Sequence, residues 1–184
     1  MKTTQVRDLM VPLSEYATVS QDATLSEAVA ALRKSQADFD QNKYRHRAIL
    51  IFDENKRIVG KVNFHAVLKG LEPKYEGMLS DEAPSHMGFT RSFQKSIIDQ
   101  FRLWQDPLDS ICEKAPKIKV KSFMATPKAE EKIAADTTLE KAIHYLVMGH
   151  HQSLLVTEHD KVIGVLRLTD VFEFVADTIM ACSI

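Results

Sequence analysis

The side chains best suited to chemistry close the run Val162-Ile163-Gly164-Val165-Leu166-Arg167-Leu168-Thr169-Asp170, an apolar stretch broken by a glycine and ended by a guanidinium, a hydroxyl and a carboxylate. An ionised carboxylate only accepts hydrogen bonds and a guanidinium only donates them, so the chemistry on offer is polar recognition. A weaker echo lies earlier, Ile58-Val59-Gly60-Lys61-Val62-Asn63-Phe64-His65-Ala66, where the carboxylate position is an alanine. One half of the chain keeps a polar signature that the other has largely lost.

Other reactive groups lack a supporting pattern. His144, His150 and His151 fall close together, but His144 sits on a helical stretch and the other two are sequence neighbours whose side chains diverge in an extended chain, so no metal site is expected. Cys112 and Cys182 have no CxxC or Cys/His spacing and indicate neither zinc nor a disulfide framework. No nucleophile elbow, Gly-rich phosphate loop or paired catalytic carboxylates occur in motif context, and the expectation is that the protein is not an enzyme. With 24 basic and 25 acidic residues the formal net charge is -1, which creates no overall field for nucleic acid or an anionic membrane. Lys114, Lys117, Lys119 and Lys121 are interrupted by apolar residues and read as an exposed edge. The N-terminus has no apolar core of signal length and no run is long enough to span a bilayer, so a soluble, cytoplasmic protein is expected.

Positioning these groups is the task of a repeated unit. Val6-Arg7-Asp8-Leu9-Met10 recurs as Val120-Lys121-Ser122-Phe123-Met124, and at the same offset Asp22, Thr24, Leu25 and Ala28 are matched by Asp136, Thr138, Leu139 and Ala142. The offset has shortened by Gly60 and Gly164, so the first copy carries extra residues, the polar stretch from Asp38 to Arg45. Each copy reads as strand, helix, strand, strand, helix. The first strands are Ala17 to Ser20 and Lys132 to Ala135. Thr24 and Thr138 are the expected helix N-caps, with Glu27 completing a capping box in the first copy. Leu25, Val29 and Leu32, like Leu139, Ile143 and Leu146, mark one buried helical face, and Gly149 is the expected stop of the second helix. Short polar turns then join Ala48 to Phe52 with Ile58 to Val62, and Ser153 to Thr157 with Lys161 to Leu166. The closing helices are Phe64 to Leu71 and Thr169 to about Met180.

Three segments follow: a first repeat over 1–72, a connection over 73–117 and a second repeat over 118–184. The connection is too long for a plain loop. Within it Phe89, Phe93, Ile97, Phe101 and Trp104 recur at helical spacing, predicting an amphipathic helix over about 89–104, bounded by Pro84 and Gly88 on one side and Pro107 on the other. Such a stripe packs on its own domain or faces a partner, for example at a dimer interface.

The Val-basic-x-apolar-Met opening, the Asp-x-Thr-Leu-x-x-Ala helix start and the strand pair closing on Gly-apolar-apolar-x-x-Thr-Asp resemble a tandem pair of cystathionine β-synthase (CBS) domains. The resemblance covers nearly the whole chain apart from the polar insert and the connection. It implies an α+β fold, with two repeats related by a pseudo-twofold axis and an added linker helix. It also implies a regulatory module, stand-alone here, that senses AMP, ADP, ATP or S-adenosylmethionine in a cleft, with no obligatory cofactor. A homodimer and an unidentified regulated protein are the implied partners. The alternative is a dimerisation or adaptor scaffold with degenerate clefts.

The resemblance assigns the cleft residue by residue. In the family's Gly-x-x-Thr/Ser-x-x-Asp pattern the aspartate accepts from both ribose hydroxyls and the earlier hydroxyl helps hold phosphate. In the second repeat this falls on Gly164, Arg167 and Asp170, with Thr169 alongside. Arg167 departs from the pattern: its guanidinium can replace the hydroxyl as a phosphate donor, or fill the pocket. By position, Ala134, Ala135, Ser153 and Leu154 would lie near the base, and His151 at the edge of the base or phosphate site. Asp170 has a second reading as a cap for the helix that follows. In the first repeat the pattern gives Gly60, Asn63 and Ala66, which leaves no ribose anchor, so one ligand cleft per chain is expected.

Overall fold

The computed structural model describes residues 4–38, 45–75, 90–103 and 110–182. In chain order the elements are α1 (Val6–Leu9), β1 (Val11–Pro12), β2 (Thr18–Ser20), α2 (Leu25–Asp38), β3 (Ala48–Phe52), β4 (Ile58–Asn63), α3 (Phe64–Gly70), α4 (Arg91–Phe101), α5 (Ile111–Lys114), β5 (Lys132–Ala134), α6 (Leu139–Met148), β6 (Ser153–Glu158), β7 (Lys161–Arg167) and α7 (Leu168–Ala181). The expected order of strand, helix, strand, strand, helix therefore occurs twice, in an α+β fold. The polar insert lies mostly outside the described residues, as do Pro84, Gly88, Phe89, Trp104 and Pro107.

Each repeat builds one sheet. β2 runs parallel to β3, and β3 antiparallel to β4; β5 runs parallel to β6, and β6 antiparallel to β7. The central strands β3 and β6 read as unbroken apolar runs because both of their faces are covered. Ile49 and Ile51 pack under α2 with Ala28 and Leu32, and Leu154 and Val156 pack under α6 with Ala142 and Leu146. The alternate residues, Leu50 and Leu155, meet between the two sheets with Tyr16, Ala48 and Val165. Burying a leucine of this kind contributes about 2–3 kcal/mol.

The helix starts follow from local chemistry. The Thr24 hydroxyl accepts from the Glu27 amide (3.2 Å) while the Glu27 carboxylate accepts from the Thr24 amide (2.6 Å), which is the expected capping box. Thr138 occupies the corresponding N-cap of α6 without a side-chain cap bond, and Gly149 ends that helix.

The repeats exchange their opening segments. β1 adds to the second repeat's sheet, pairing Val11 with Val165 and Pro12 with Gly164, to give the order β1-β7-β6-β5. The Val6 amide donates to Thr137 and the Leu139 amide to Thr4 (2.9 and 3.0 Å). Reciprocally, the Val120 amide donates to Ala23 and the Leu25 amide to Ile118 (2.9 and 2.8 Å), while Lys61 and Ala125 exchange both backbone bonds. Matching bridges join Gln5 to Thr138 and Thr24 to Lys119, a correspondence that expresses the pseudo-twofold relation.

Candidate ligand cleft between the repeats

Arg167 is the last residue of β7 and the N-cap position of α7. Strand alternation turns it to the same face as Val165, into the layer between the sheets, and it is only 5% exposed. Asp170 lies in the first turn of α7, where the unpaired amides of a helix N-terminus favour a negative charge. This spacing brings the two side chains together. Arg167 Nε donates to Asp170 Oδ2 at 2.6 Å and Nη2 donates to Oδ1, a bidentate pair with the carboxylate side chain 17% exposed.

The other repeat packs against this pair. His46, fully buried just before β3, presents Nδ1 3.4 Å from Arg167 Nη1 and packs against Tyr16, which precedes β2, with ring centroids 4.5 Å apart and the ring planes tilted by 54°. Burial, reinforced by the Arg167 charge, pushes His46 down to about 4, against weaker opposing effects of the Glu15 backbone and Asp170. Burial likewise pushes the Tyr16 phenol up to about 12, with Arg167 opposing and Asp170 adding to the effect. At neutral pH the cleft thus holds one cation, one anion and two uncharged rings.

The pseudo-equivalent cleft has different contents. Ile51 and Val156 face the glycines Gly60 and Gly164, so His46 and His151 are counterparts. His151 accordingly lies within electrostatic reach of Glu131 rather than belonging with Tyr16 and His46. Glu131 accepts from Lys61 Nζ at 2.6 Å, both side chains being largely buried. Burial opposes ionisation of Glu131, but the hydrogen bond and charge of Lys61, the Lys128 amide and His151 together hold it below the usual carboxylate range. Asn63, the counterpart of Arg167, caps α3 by accepting from the Ala66 amide at 2.8 Å.

The other candidates disperse. Gly164 meets the exchanged segment: a Cβ there would lie 2.6 Å from the Val11 carbonyl oxygen and 2.9 Å from Met10 Sδ, so its missing side chain is explained by chain packing. Ala135 and Leu154 are buried in the core under α6, facing away from the layer that holds Arg167. Ala134 is exposed, Thr169 half-buried, and Ser153 is the cross-strand partner of Arg167. Sequence reasoning missed Tyr16 and His46. Face-to-face packing of two sheets, implied by the apolar central strands, is the signal that the wall opposite Asp170 comes from the other repeat. Among the described residues no cluster of three or more His, Cys, Asp or Glu could hold a metal, and no helix is long and apolar enough to cross a membrane.

The CBS-domain family model matches residues 6–73 and 120–177. The chain belongs to the CBS-domain family. No curated protein matches it by sequence. Solved structures of CBS pairs resemble it in fold. CBSX2, a protein of Arabidopsis thaliana, in complex with AMP is 18% identical with a TM-score of 0.58, over 95% of this chain and 98% of that one. The CBS domain of a membrane protein from Sphaerobacter thermophilus is 16% identical with a TM-score of 0.61, over 94% and 88%. The CBS domain of a bacterial CNNM/CorC family Mg2+ transporter in complex with ATP is 17% identical with a TM-score of 0.56, over 94% and 87%. CBS pairs of this kind are generally regulatory modules rather than catalysts.

Proposed function

We propose that this CBS pair is a regulatory sensor of an adenosine nucleotide, which binds in the cleft of Arg167 and Asp170. The observation that carries the reading is that a carboxylate and a guanidinium of the second repeat face Tyr16 and His46 of the first, so that an occupant contacts both repeats. Such a ligand favours one arrangement of the repeats, and a partner protein reads that arrangement. The AMP and ATP complexes of CBSX2 and the CNNM/CorC CBS domain support the ligand class. A second copy of the chain is the other partner: Phe64 and Leu68 of α3 and Phe172, Ile179 and Met180 of α7, the closing helices of the two repeats, are exposed.

Isothermal titration with AMP, ADP, ATP and S-adenosylmethionine tests this. Sub-millimolar binding of at least one is expected, weakened by at least about tenfold in Asp170→Ala and little changed in Asn63→Ala. Absence of sub-millimolar binding by folded protein would sink the sensor reading. One observation favours a second reading, a ligand-free dimerisation or adaptor scaffold: Arg167 already engages both oxygens of Asp170.

A further inference from the structure

We propose that Met10 and Met124 are oxidation sites at which a hydroperoxide loosens the seam between the two repeats. They are counterparts in the exchanged opening segments, and each lies against a glycine in the other repeat's sheet. A Cβ on Gly164 would lie 2.9 Å from Met10 Sδ and 3.4 Å from its Cγ, and one on Gly60 would meet Met124 Sδ and lie 3.0 Å from its Cγ. Both thioethers thus rest on bare backbone, in space that only a missing side chain leaves.

Each methionine ends a turn that the other repeat holds. The Met10 amide donates to Val6 and the Met124 amide to Val120 (3.0 and 2.9 Å), and both valines are fully buried, Val6 in the second repeat's core and Val120 in the first's. The residues that follow make the backbone seam, Val11 with Val165 and Ala125 with Lys61. Both methionines are only partly buried, so a molecule as small as a peroxide reaches them.

The reaction transfers one oxygen atom. A sulfur lone pair forms the S–O bond as the peroxide O–O bond breaks; the sulfur loses two electrons and the hydroperoxide leaves as water or an alcohol. The sulfoxide is larger and strongly polar, and it needs a hydrogen-bond donor. Met10 packs on the apolar core of the second repeat and Met124 on that of the first, where such a group is poorly solvated. Met148 and Met180, 68% and 70% exposed, take the same oxygen into solvent. The modification therefore acts where the repeats join, and enzymatic reduction of the sulfoxide reverses it.

The whole protein, with the exposed Cys112 and Cys182 alkylated, is treated with graded hydrogen peroxide, mapped by mass spectrometry and unfolded in urea. Sulfoxide at Met10 and Met124 is expected to lower the midpoint, with the unfolding equilibrium constant raised at least about fivefold, and methionine sulfoxide reductases to restore it. Met10→Leu with Met124→Leu, which conserves volume, is expected to hold its midpoint while Met148 and Met180 are oxidised. Met148→Leu with Met180→Leu is expected to lose stability as the unaltered protein does. Equal losses in the unaltered protein and M10L/M124L overturn the proposal, as does folded protein in which neither Met10 nor Met124 is oxidised when Met148 and Met180 are. Circular dichroism checks that M10L/M124L is folded. If it is not, M148L/M180L decides, because a midpoint that survives peroxide there also overturns the proposal.

Discussion

His46 couples the candidate cleft to pH. Its imidazole is held down to about 4 by burial and by Arg167, whereas in the unfolded chain it titrates near its ordinary 6.5. Between those values the unfolded chain binds the proton and the folded one does not, so this contribution is complete above 6.5 and is lost as pH falls towards 4. Urea unfolding at pH 7 and pH 5 is expected to differ by about 2 kcal/mol from this residue, and His46→Gln to remove that share. An unaltered pH slope in the variant would mean that His46 is solvated enough to titrate normally. Glu131 acts at lower pH and in the same direction: its carboxyl lies below the ordinary range, so its stabilisation is lost as acid protonates it and frees Lys61.

At the scale of elements, the two glycines separate packing from recognition. A Cβ on Gly164 meets the backbone oxygen of Val11, whereas on Gly60 it meets the flexible Met124 side chain and, at 3.2 Å, Ile51 Cβ. Gly164→Ala is therefore expected to destabilise by about 1–3 kcal/mol in urea unfolding, and Gly60→Ala by less. Equal costs would show that β1 shifts as easily as a methionine side chain. The strands and the capping box of α2 are legible in the sequence, because apolar runs and Thr24 with Glu27 act locally. The reach of α4 is less so: it ends at Phe101, and Ile98 and Phe101 are exposed, where the stripe left open packing on its own domain or facing a partner. Periodicity marks which residues share a face, not whether anything covers it.

At the scale of the whole molecule, the exchange of opening segments makes each repeat incomplete alone. Val6 is fully buried among the second repeat's Leu139, Leu146 and Leu166, and Val120 is fully buried in the first repeat's core. Val6→Ala is expected to cost about 1–3 kcal/mol and to lower the midpoint of one cooperative transition. Far- and near-ultraviolet circular dichroism check this, and two separated transitions would show that the repeats unfold independently. The repeats themselves could be read from the sequence. Which sheet Val6 to Met10 joins could not, because both copies carry the same pattern and only tertiary packing distinguishes them. The same holds for the cleft, where the spacing of Arg167 and Asp170 is visible and the approach of Tyr16 and His46 is not.

The pairing of Val11 with Val165 also orders events in time. β1 is made about 150 residues before the strand it joins, a wait of roughly ten seconds or more at ordinary elongation rates. During that interval Val6, Met10 and Val11 have no sheet to cover, so apolar residues that precede the first repeat's own strands wait for the second repeat to shield them. A slowly translated message thus prolongs the exposure of this segment, and a chaperone that holds nascent chains would find it uncovered.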